Sequence, residues 1–542
     1  MQVAEAVGRA LPGLGVDVVF GLMGSGNLLV TNAMRDAGAR FYAARHEGGA
    51  ICMADGYGRV SGRIAACSVH QGPGLTNAVT GLTEAAKSRT PLLVLAPETP
   101  SAALRSNFRI DQVGLVEAVG ATAERVHGPA TALVDVARAV RRARVERRAV
   151  VLMLPLDIQS AECADGAPPA DGPAPERPAP SAAAVRAAAE ALTGARRPVL
   201  VAGRGAVLAG AGPALRTLGE RAGALLATSA VANGLFADDP YDLGIAGGFA
   251  SPLAARMLAE ADVVVAFGAS LNQWTTKHGT LPGPDATVVQ VDLDTDAIGA
   301  HRPVDLGIVG DAAATAEALA AAIARGAGWR TPERAAEIAA HRWRDEPYDA
   351  SAADGVLDPR TLRIALDDLL PLERTVAVDS GAFMGWPSMY LRVPDAAGFV
   401  FPQAFQCVGL ALGNAIGAAI ARPDRLTVVA LGDGGALLSL PEFETLGRLG
   451  LPLLVVIYDD AAYGAEVHHF APMGEAVDFA QFPDTDFARL AEAAGCHGLT
   501  ARSLDDLEGV REWLDVRDRP LVLDAKVDPA ICGEWLEEAF RH

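Results

Sequence analysis

Residues 425–464 read RLTVVALGDGGALLSLPEFETLGRLGLPLLVVIYDDAAYG. Two apolar runs, LTVVAL and LPLLVVIY, each end on acid: Gly432-Asp433-Gly434-Gly435 after the first, Asp459-Asp460 after the second. Unbroken apolar runs of this length suit strands buried on both faces, and the segment between them, SLPEFETLGRLG, is patterned as a helix. Strand, helix and strand at this spacing imply a parallel crossover. Working outward, RTVAVDSG precedes the stretch and PLVLDAKV follows it, while RPVLVAGRGAV, ADVVVAFGAS and ATVVQVDLDTD form a similar series upstream. Nearer the N-terminus, Asp17–Gly21, Ile64–Val69 and Pro91–Ala96 alternate with helical stretches. The fold class is therefore α/β, with three domains of mainly parallel sheets covered by helices.

The Pro- and Ala-rich stretch CADGAPPADGPAPERPAPS from Cys163 suits an extended linker. It divides the chain into a first domain over 1–162, a linker over 163–184 and a central domain over 185–325; a connecting segment over 326–354 and a last domain over 355–542 follow. At 542 residues, half of them hydrophobic, the chain is long enough for several cores. A formal charge of -20 argues against non-specific nucleic-acid binding, because no basic stripe exists to displace phosphate counterions. Six dispersed cysteines without a CxxC pair suggest neither a zinc site nor a disulfide framework. The N-terminus has no basic leader and apolar signal core, and long apolar runs are broken by charge or glycine, so a cytoplasmic protein with no membrane segment is expected.

Both acidic clusters stand just beyond strand C-termini, where α/β sheets place ligands. Magnesium takes hard oxygen ligands and commonly shares its shell with phosphate oxygens. Gly432 and Gly434 leave room for backbone amides to approach a diphosphate. A plain tight turn and a solvated acidic loop would explain the same residues taken singly. A third acid, Glu47 in YAARHEGGAICMADGYGRVSG, falls between a strand and a helix start, where a dipole or cap role is the ordinary reading.

Taken together, the GDGG turn, the acid pair followed by Tyr463-Gly464, Glu47 with MADGYGRVSG, and GPGLTNAVTGLTEA resemble thiamine-diphosphate-dependent enzymes of the acetolactate synthase and 2-oxo-acid decarboxylase type. The resemblance covers nearly the whole chain. It implies a pyrimidine-binding domain at 1–162 and a diphosphate-binding domain at 355–542. It also implies magnesium held by Asp433, Asp460 and the Ala462 carbonyl, and a cofactor cradle of Gly432, Asp433, Gly434, Gly435, Asp460, Ala462 and Tyr463. Glu47 would hydrogen-bond the aminopyrimidine and promote the imino tautomer that removes the thiazolium C2 proton. Val408 would prop the bent cofactor, and the Gln406 carbonyl would accept from the aminopyrimidine. At least a homodimer is implied, and a homotetramer is open, because such enzymes clamp the cofactor between subunits. The sequence departs from the commonest pattern in three places: Asp459-Asp460 replaces paired Asn, the Val408 stretch lacks Gly-x-Met, and AAYGAEVHHF lacks a Gln-Trp pair.

In the central domain, VLVAGRGAVLAGAG invites a nucleotide, FAD or ADP. The turn is irregular, however, and ASLNQWTTKHG stands where acetolactate synthases carry an RFDDR-like segment, so neither is assigned. Trp274 and His278 are read as local packing and surface polarity. For substrate, His70 and Gln71 before GPG, Gln112 after FRID, and Glu466 beyond the acid pair could orient a carbonyl or move protons; His468 and His469 rank lower. The leading function is decarboxylation, carboligation or both of a small 2-oxo acid, with a carbonyl acceptor in the second case. The alternatives are a 2-hydroxyacyl-CoA lyase, an aldehyde carboligase, and an inert structural or regulatory homologue.

Overall fold

The structure is a computed structural model describing residues 1–542 apart from 165, 171, 325, 327, 351, 537–539, 541 and 542. Parts of the expected linker and connecting segment thus lie outside the described residues. Strands β1 (Val18–Gly21), β2 (Arg40–Ala43), β3 (Ala65–Ser68), β4 (Leu92–Glu98), β5 (Thr122–Arg125) and β6 (Ala149–Pro155) form one sheet in the order β2-β1-β3-β4-β6-β5. The central sheet contains β7 (Pro198–Ala202), β8 (Leu225–Thr228), β9 (Asp242–Ile245), β10 (Val263–Phe267), β11 (Thr287–Asp292) and β12 (Leu306–Val309), ordered β12-β11-β10-β7-β8-β9. The third contains β13 (Arg374–Val378), β14 (Phe399–Val400), β15 (Leu426–Gly432), β16 (Leu453–Asp459), β17 (His497–Ala501) and β18 (Leu521–Lys526), ordered β14-β13-β15-β16-β18-β17.

Every pairing among these strands is parallel, as unbroken apolar runs require. Counted from its own first strand, the third sheet repeats the order of the first. Each reverses direction between its first and third strands, which opens a crevice beyond the C-terminal ends of β1 and β3 in one and of β13 and β15 in the other. Every expected site residue except Gly432, the last residue of β15, lies in a loop or helix that follows a strand of these two sheets, Glu47 at the start of the helix after β2. Among the described residues no helix is long and apolar enough to cross a membrane.

One helix was not expected. The helix read in SLPEFETLGRLG is present at Pro441–Leu449, and the residues read as the GDGG turn open a further short helix, Asp433–Leu438. Asp433 itself opens the short helix, and Pro441 sets the first turn of the longer one, where its missing N–H costs nothing.

The first and third domains meet through the helices Glu47–Ser61 and Ala411–Ala421. Their backbones touch through glycine. A Cβ on Gly417 would stand 1.9 Å from the Met53 carbonyl oxygen, one on Gly56 2.1 Å from that of Asn414, and one on Gly413 2.6 Å from the Cys52 Cβ. Polar ties flank this contact. The buried Glu442 carboxylate accepts from the amides of Arg45 at 3.3 Å and His46 at 2.9 Å. Glu84, ion-paired with Arg59 at 2.7 Å, accepts from the Phe405 amide at 2.7 Å.

Gly417→Ala is expected to force the helices apart at a cost of about 1–3 kcal/mol or more, as overpacking does. Gly194→Ala places its methyl where no atom lies within 4 Å and should leave the thermal midpoint unchanged or slightly raised. Thermal unfolding of both variants tests the contact; equal midpoints would mean that the two helices do not bear on stability.

Candidate active site

The acids after β15 and β16 do not behave alike. Asp433 is buried at the first position of its helix, and burial, followed by the charge of Asp460, pushes its carboxyl up to about 7. Burial pushes Asp460 up to about 6, opposed by the Ala462 amide, which donates to Oδ1 at 3.2 Å, and reinforced by Asp459. Among the described residues neither carboxylate has an ion-pair partner. Asp459 turns the other way: its Oδ1 accepts from the Ala461 amide at 3.0 Å and its Oδ2 from Lys526 Nζ at 2.5 Å. The adjacent pair in sequence is split in space.

Of the glycines in the turn, Gly435 is the most constrained. A Cβ there would lie 2.4 Å from Asp379 Oδ2 and 3.3 Å from Val408 Cγ1, so its bareness serves packing. Gly434 lies under the Tyr463 ring, its Cβ position 3.2 Å from Cε1, and Gly432 faces Phe383 at 3.3 Å. Tyr463 is half exposed and meets Phe482 edge-on at 4.7 Å.

Asp379, at the end of β13, was not among the expected site residues. It is fully buried, and its carboxylate accepts from the amides of Gly409 at 2.8 Å, Leu410 at 3.1 Å and Ala411 at 3.2 Å. It therefore pins the downstream end of the loop bearing Gln406 and Val408, while Glu84 pins the upstream end at Phe405. Between these anchors Gln406 is exposed and adopts φ +56°, a left-handed conformation uncommon outside glycine. The acid closing RTVAVD follows the same pattern as the other two strands and could have been found by it.

In the first domain Glu47 opens its helix and is 8% exposed, with Oε2 accepting from Asn77 Nδ2 at 3.1 Å. Beyond β3, the His70 imidazole lies over Gly24, with Nε2 3.4 Å from Ser25 Oγ and Nδ1 3.1 Å from the Gln71 carbonyl oxygen. Neither Ser25 nor Asn77 was expected; a lone hydroxyl in GSGN and an amide in GLTN carry no signal by themselves. Gln71 is buried, and its Oε1 has no partner among the described residues. Gln112 is already committed to the backbone: Oε1 accepts from the Gly72 amide at 3.2 Å and Nε2 donates to the Pro97 carbonyl at 3.2 Å.

Glu466 is exposed in the first turn of the helix Gly464–Phe470. His468 is half-buried, which lowers its pKa, and bonds to Pro529; His469 stacks on Phe540 with ring centroids 3.9 Å apart. In the central sheet the glycine-rich turn closes on its neighbour: the Gly203 amide donates to Phe267 at 2.9 Å and that of Gly205 to Gly268 at 3.0 Å. Those donors are spent on protein. Trp274 packs against Phe249 at 5.6 Å, and His278 adopts φ +53°.

Three parallel sheets, the first and third with one strand order and the third with acids beyond β13, β15 and β16, make a three-domain α/β protein. Family models for thiamine pyrophosphate enzymes match in series: the N-terminal TPP binding domain over residues 1–115, the central domain over 185–319 and the C-terminal TPP binding domain over 379–525. The chain is 32% identical to a sulfoacetaldehyde acetyltransferase of Rhodobacter capsulatus, covering 100% of this chain and 96% of that protein. It is 33% identical to a probable 2-ketoarginine decarboxylase of Pseudomonas aeruginosa, covering 94% and 91%. In fold it is similar to a thiamine diphosphate-dependent 4-hydroxybenzoylformate decarboxylase of Rhodococcus jostii, with a TM-score of 0.84 at 22% identity over 97% of this chain and 99% of that one. The chain belongs to the thiamine pyrophosphate (thiamine diphosphate) enzyme family and is a lyase or transferase using that cofactor.

The Asp379 carboxyl is pushed up to about 6 by burial. The folded protein therefore holds this proton above the ordinary carboxylate pKa of about 4, and the stability linked to it is lost as pH rises from about 4 through about 6. Asn cannot ionise. The thermal midpoint of wild type relative to Asp379→Asn is expected to fall across that window; a pH-independent difference would show that Asp379 does not titrate there.

Proposed function

We propose that the chain decarboxylates a small 2-oxo acid, releasing an aldehyde or joining the remaining acyl group to a carbonyl acceptor. Asp433 and Asp460 carry the reading: the charge of the half-buried Asp460 acts on the buried Asp433 carboxyl, with no ion-pair partner among the described side chains to relieve either. With the Ala462 carbonyl they offer hard oxygens suited to magnesium, whose remaining positions suit diphosphate oxygens. Among the described residues no three His, Cys, Asp or Glu side chains gather as a metal cluster, so this would be a shared site rather than an all-protein cage. The residues fit the group.

Bound thiamine diphosphate supplies the electron sink that a bare acyl carbanion lacks. The protein's part is to position it and to manage protons. Glu47, with Oε2 engaged by Asn77, would offer Oε1 to the aminopyrimidine and share a proton with it; Gly74 leaves that oxygen room, since a Cβ there would stand 3.3 Å away. The Gln406 carbonyl and Val408 orient the cofactor, on a loop fixed by Asp379 and Glu84. The Gly432–Gly435 turn and Tyr463 line the diphosphate end. His70, backed by Ser25, and Gln71, whose Oε1 awaits a donor, orient the substrate, and Glu466 handles a proton at its carboxylate. Gln112 acts by holding the Gly72 turn.

We assign the pyrimidine-binding role to 1–162, a linker to 163–184, the central α/β domain to 185–325, a connecting segment to 326–354 and the diphosphate-binding role to 355–542. Exposure of Tyr463, Phe405, Leu437, Leu438 and Phe479 supports a homodimer at minimum, extending to a homotetramer, in which a second copy covers these residues. The thiols of Cys52, Cys67, Cys163, Cys407 and Cys496 support a cytoplasmic setting. The relatives named as an acetyltransferase and a decarboxylase represent the two outcomes of one chemistry.

Mass-spectrometric profiling with a panel of 2-oxo acids, alone and with aldehyde acceptors, tests the reading. Loss of CO2 from at least one donor, with aldehyde or a ligated product, is expected. A cofactor-saturated protein yielding neither would overturn it, and cleavage of a 2-hydroxyacyl-CoA alone would favour the lyase alternative.

A further inference from the structure

Asp459 and Asp460 are consecutive, yet their carboxylates take different partners: Asp460 accepts from the Ala462 amide, Asp459 from the Ala461 amide and Lys526. The reason lies on the neighbouring strand. In the register of β16 with β18, Asp459 stands opposite Lys526, and Asp524, two residues back, shares that face. Lys526 Nζ lies 2.5 Å from Asp459 Oδ2, 3.0 Å from Asp524 Oδ2 and 2.8 Å from the Thr485 carbonyl oxygen, and it also contacts Asp484. Asp459, Asp524 and Lys526 are all buried. An ammonium has three hydrogens and is here surrounded by acceptors, so its orientation and that of Asp459 are fixed together.

We propose that Lys526 is a positioning residue that holds the Asp459 carboxylate out of the magnesium site, so that the ion meets two protein carboxylates, Asp433 and Asp460, rather than three. This rests on the reading that Asp433 and Asp460 hold the ion. Each further carboxylate admitted to an octahedral shell displaces a water or a phosphate oxygen and adds a negative charge beside the diphosphate. Withholding Asp459 keeps positions open for the cofactor. Released from Lys526, Asp459 would be one residue from Asp460 and free to compete for the ion.

The test is calorimetric titration of magnesium into full-length protein with and without thiamine diphosphate, together with thermal unfolding. Asp459→Asn keeps an oxygen for the Ala461 amide and is expected to leave the magnesium Kd within about twofold of wild type. Lys526→Met should tighten magnesium binding to the cofactor-free protein by about tenfold, a 1.4 kcal/mol change, and weaken thiamine diphosphate binding by a similar factor. Adding Asp459→Asn to Lys526→Met should reverse both changes. A loss of magnesium affinity above about tenfold in Asp459→Asn would make Asp459 a ligand and overturn the proposal. Unchanged or weaker magnesium binding in a folded Lys526→Met protein would also overturn it. If Lys526→Met does not fold, the Asp459→Asn result decides alone. Failure of the underlying reading has a separate signature: Asp433→Ala would then bind magnesium as wild type does.

Discussion

The contact on which the molecule depends is the glycine-paved crossing of the helices Glu47–Ser61 and Ala411–Ala421. Helices normally keep 8–10 Å between axes because side chains intervene; here Gly56, Gly413 and Gly417 remove them and let backbone meet backbone. One helix begins with Glu47, and the other begins directly after the loop of Gln406 and Val408. Fixing the pair therefore fixes, within one chain, the position of Glu47 and the end of the loop bearing Gln406 and Val408. The Glu442 and Glu84 carboxylates add direction to what is otherwise a non-directional apolar seam, because each accepts backbone amides from the opposite domain.

Around that frame, carboxylates are used in two opposed ways. Asp379 and Glu442 are buried against backbone donors, which makes them structural anchors. Asp433, buried, and Asp460, half-buried, have no ion-pair partner among the described residues, an arrangement that costs folding energy unless a cation is supplied. Stability given up at one point of a fold in this manner is characteristic of a functional site. Lys526 separates the two uses by drawing Asp459 into the structural set and leaving Asp460 in the functional one.

The central strands were legible because burial on both faces leaves a continuous apolar run: β15, β16 and β18 are buried almost throughout. Edge strands were not. Arg40–Ala43 and His497–Ala501 are largely half-exposed and carry no such run, and Phe399–Val400 has only two residues. Glu47 and Asp433 could be read from their places at element ends. The partners that bond to these side chains, Asn77 for Glu47, Ser25 for His70 and Lys526 for Asp459, are 30 to 67 residues distant in sequence, and only the folded chain brings them together. The same reason explains Gln112, whose amide looked free in FRIDQ and is in fact tied to Gly72 and Pro97.

In the proposed function Glu47 activates the cofactor, whereas in the ordinary reading it is a charge that merely suits a helix start. An exposed helix-terminal charge contributes only about 0.3–1 kcal/mol, whereas a positioned proton-transfer group contributes about 10²–10⁴-fold in rate. The deciding measurement is hydrogen–deuterium exchange at the thiazolium C2 of bound thiamine diphosphate in wild type and Glu47→Gln, both folded and cofactor-saturated. Exchange slowed by at least about a hundredfold in the variant, with little change in thermal midpoint, is the predicted result; exchange at the wild-type rate would contradict it.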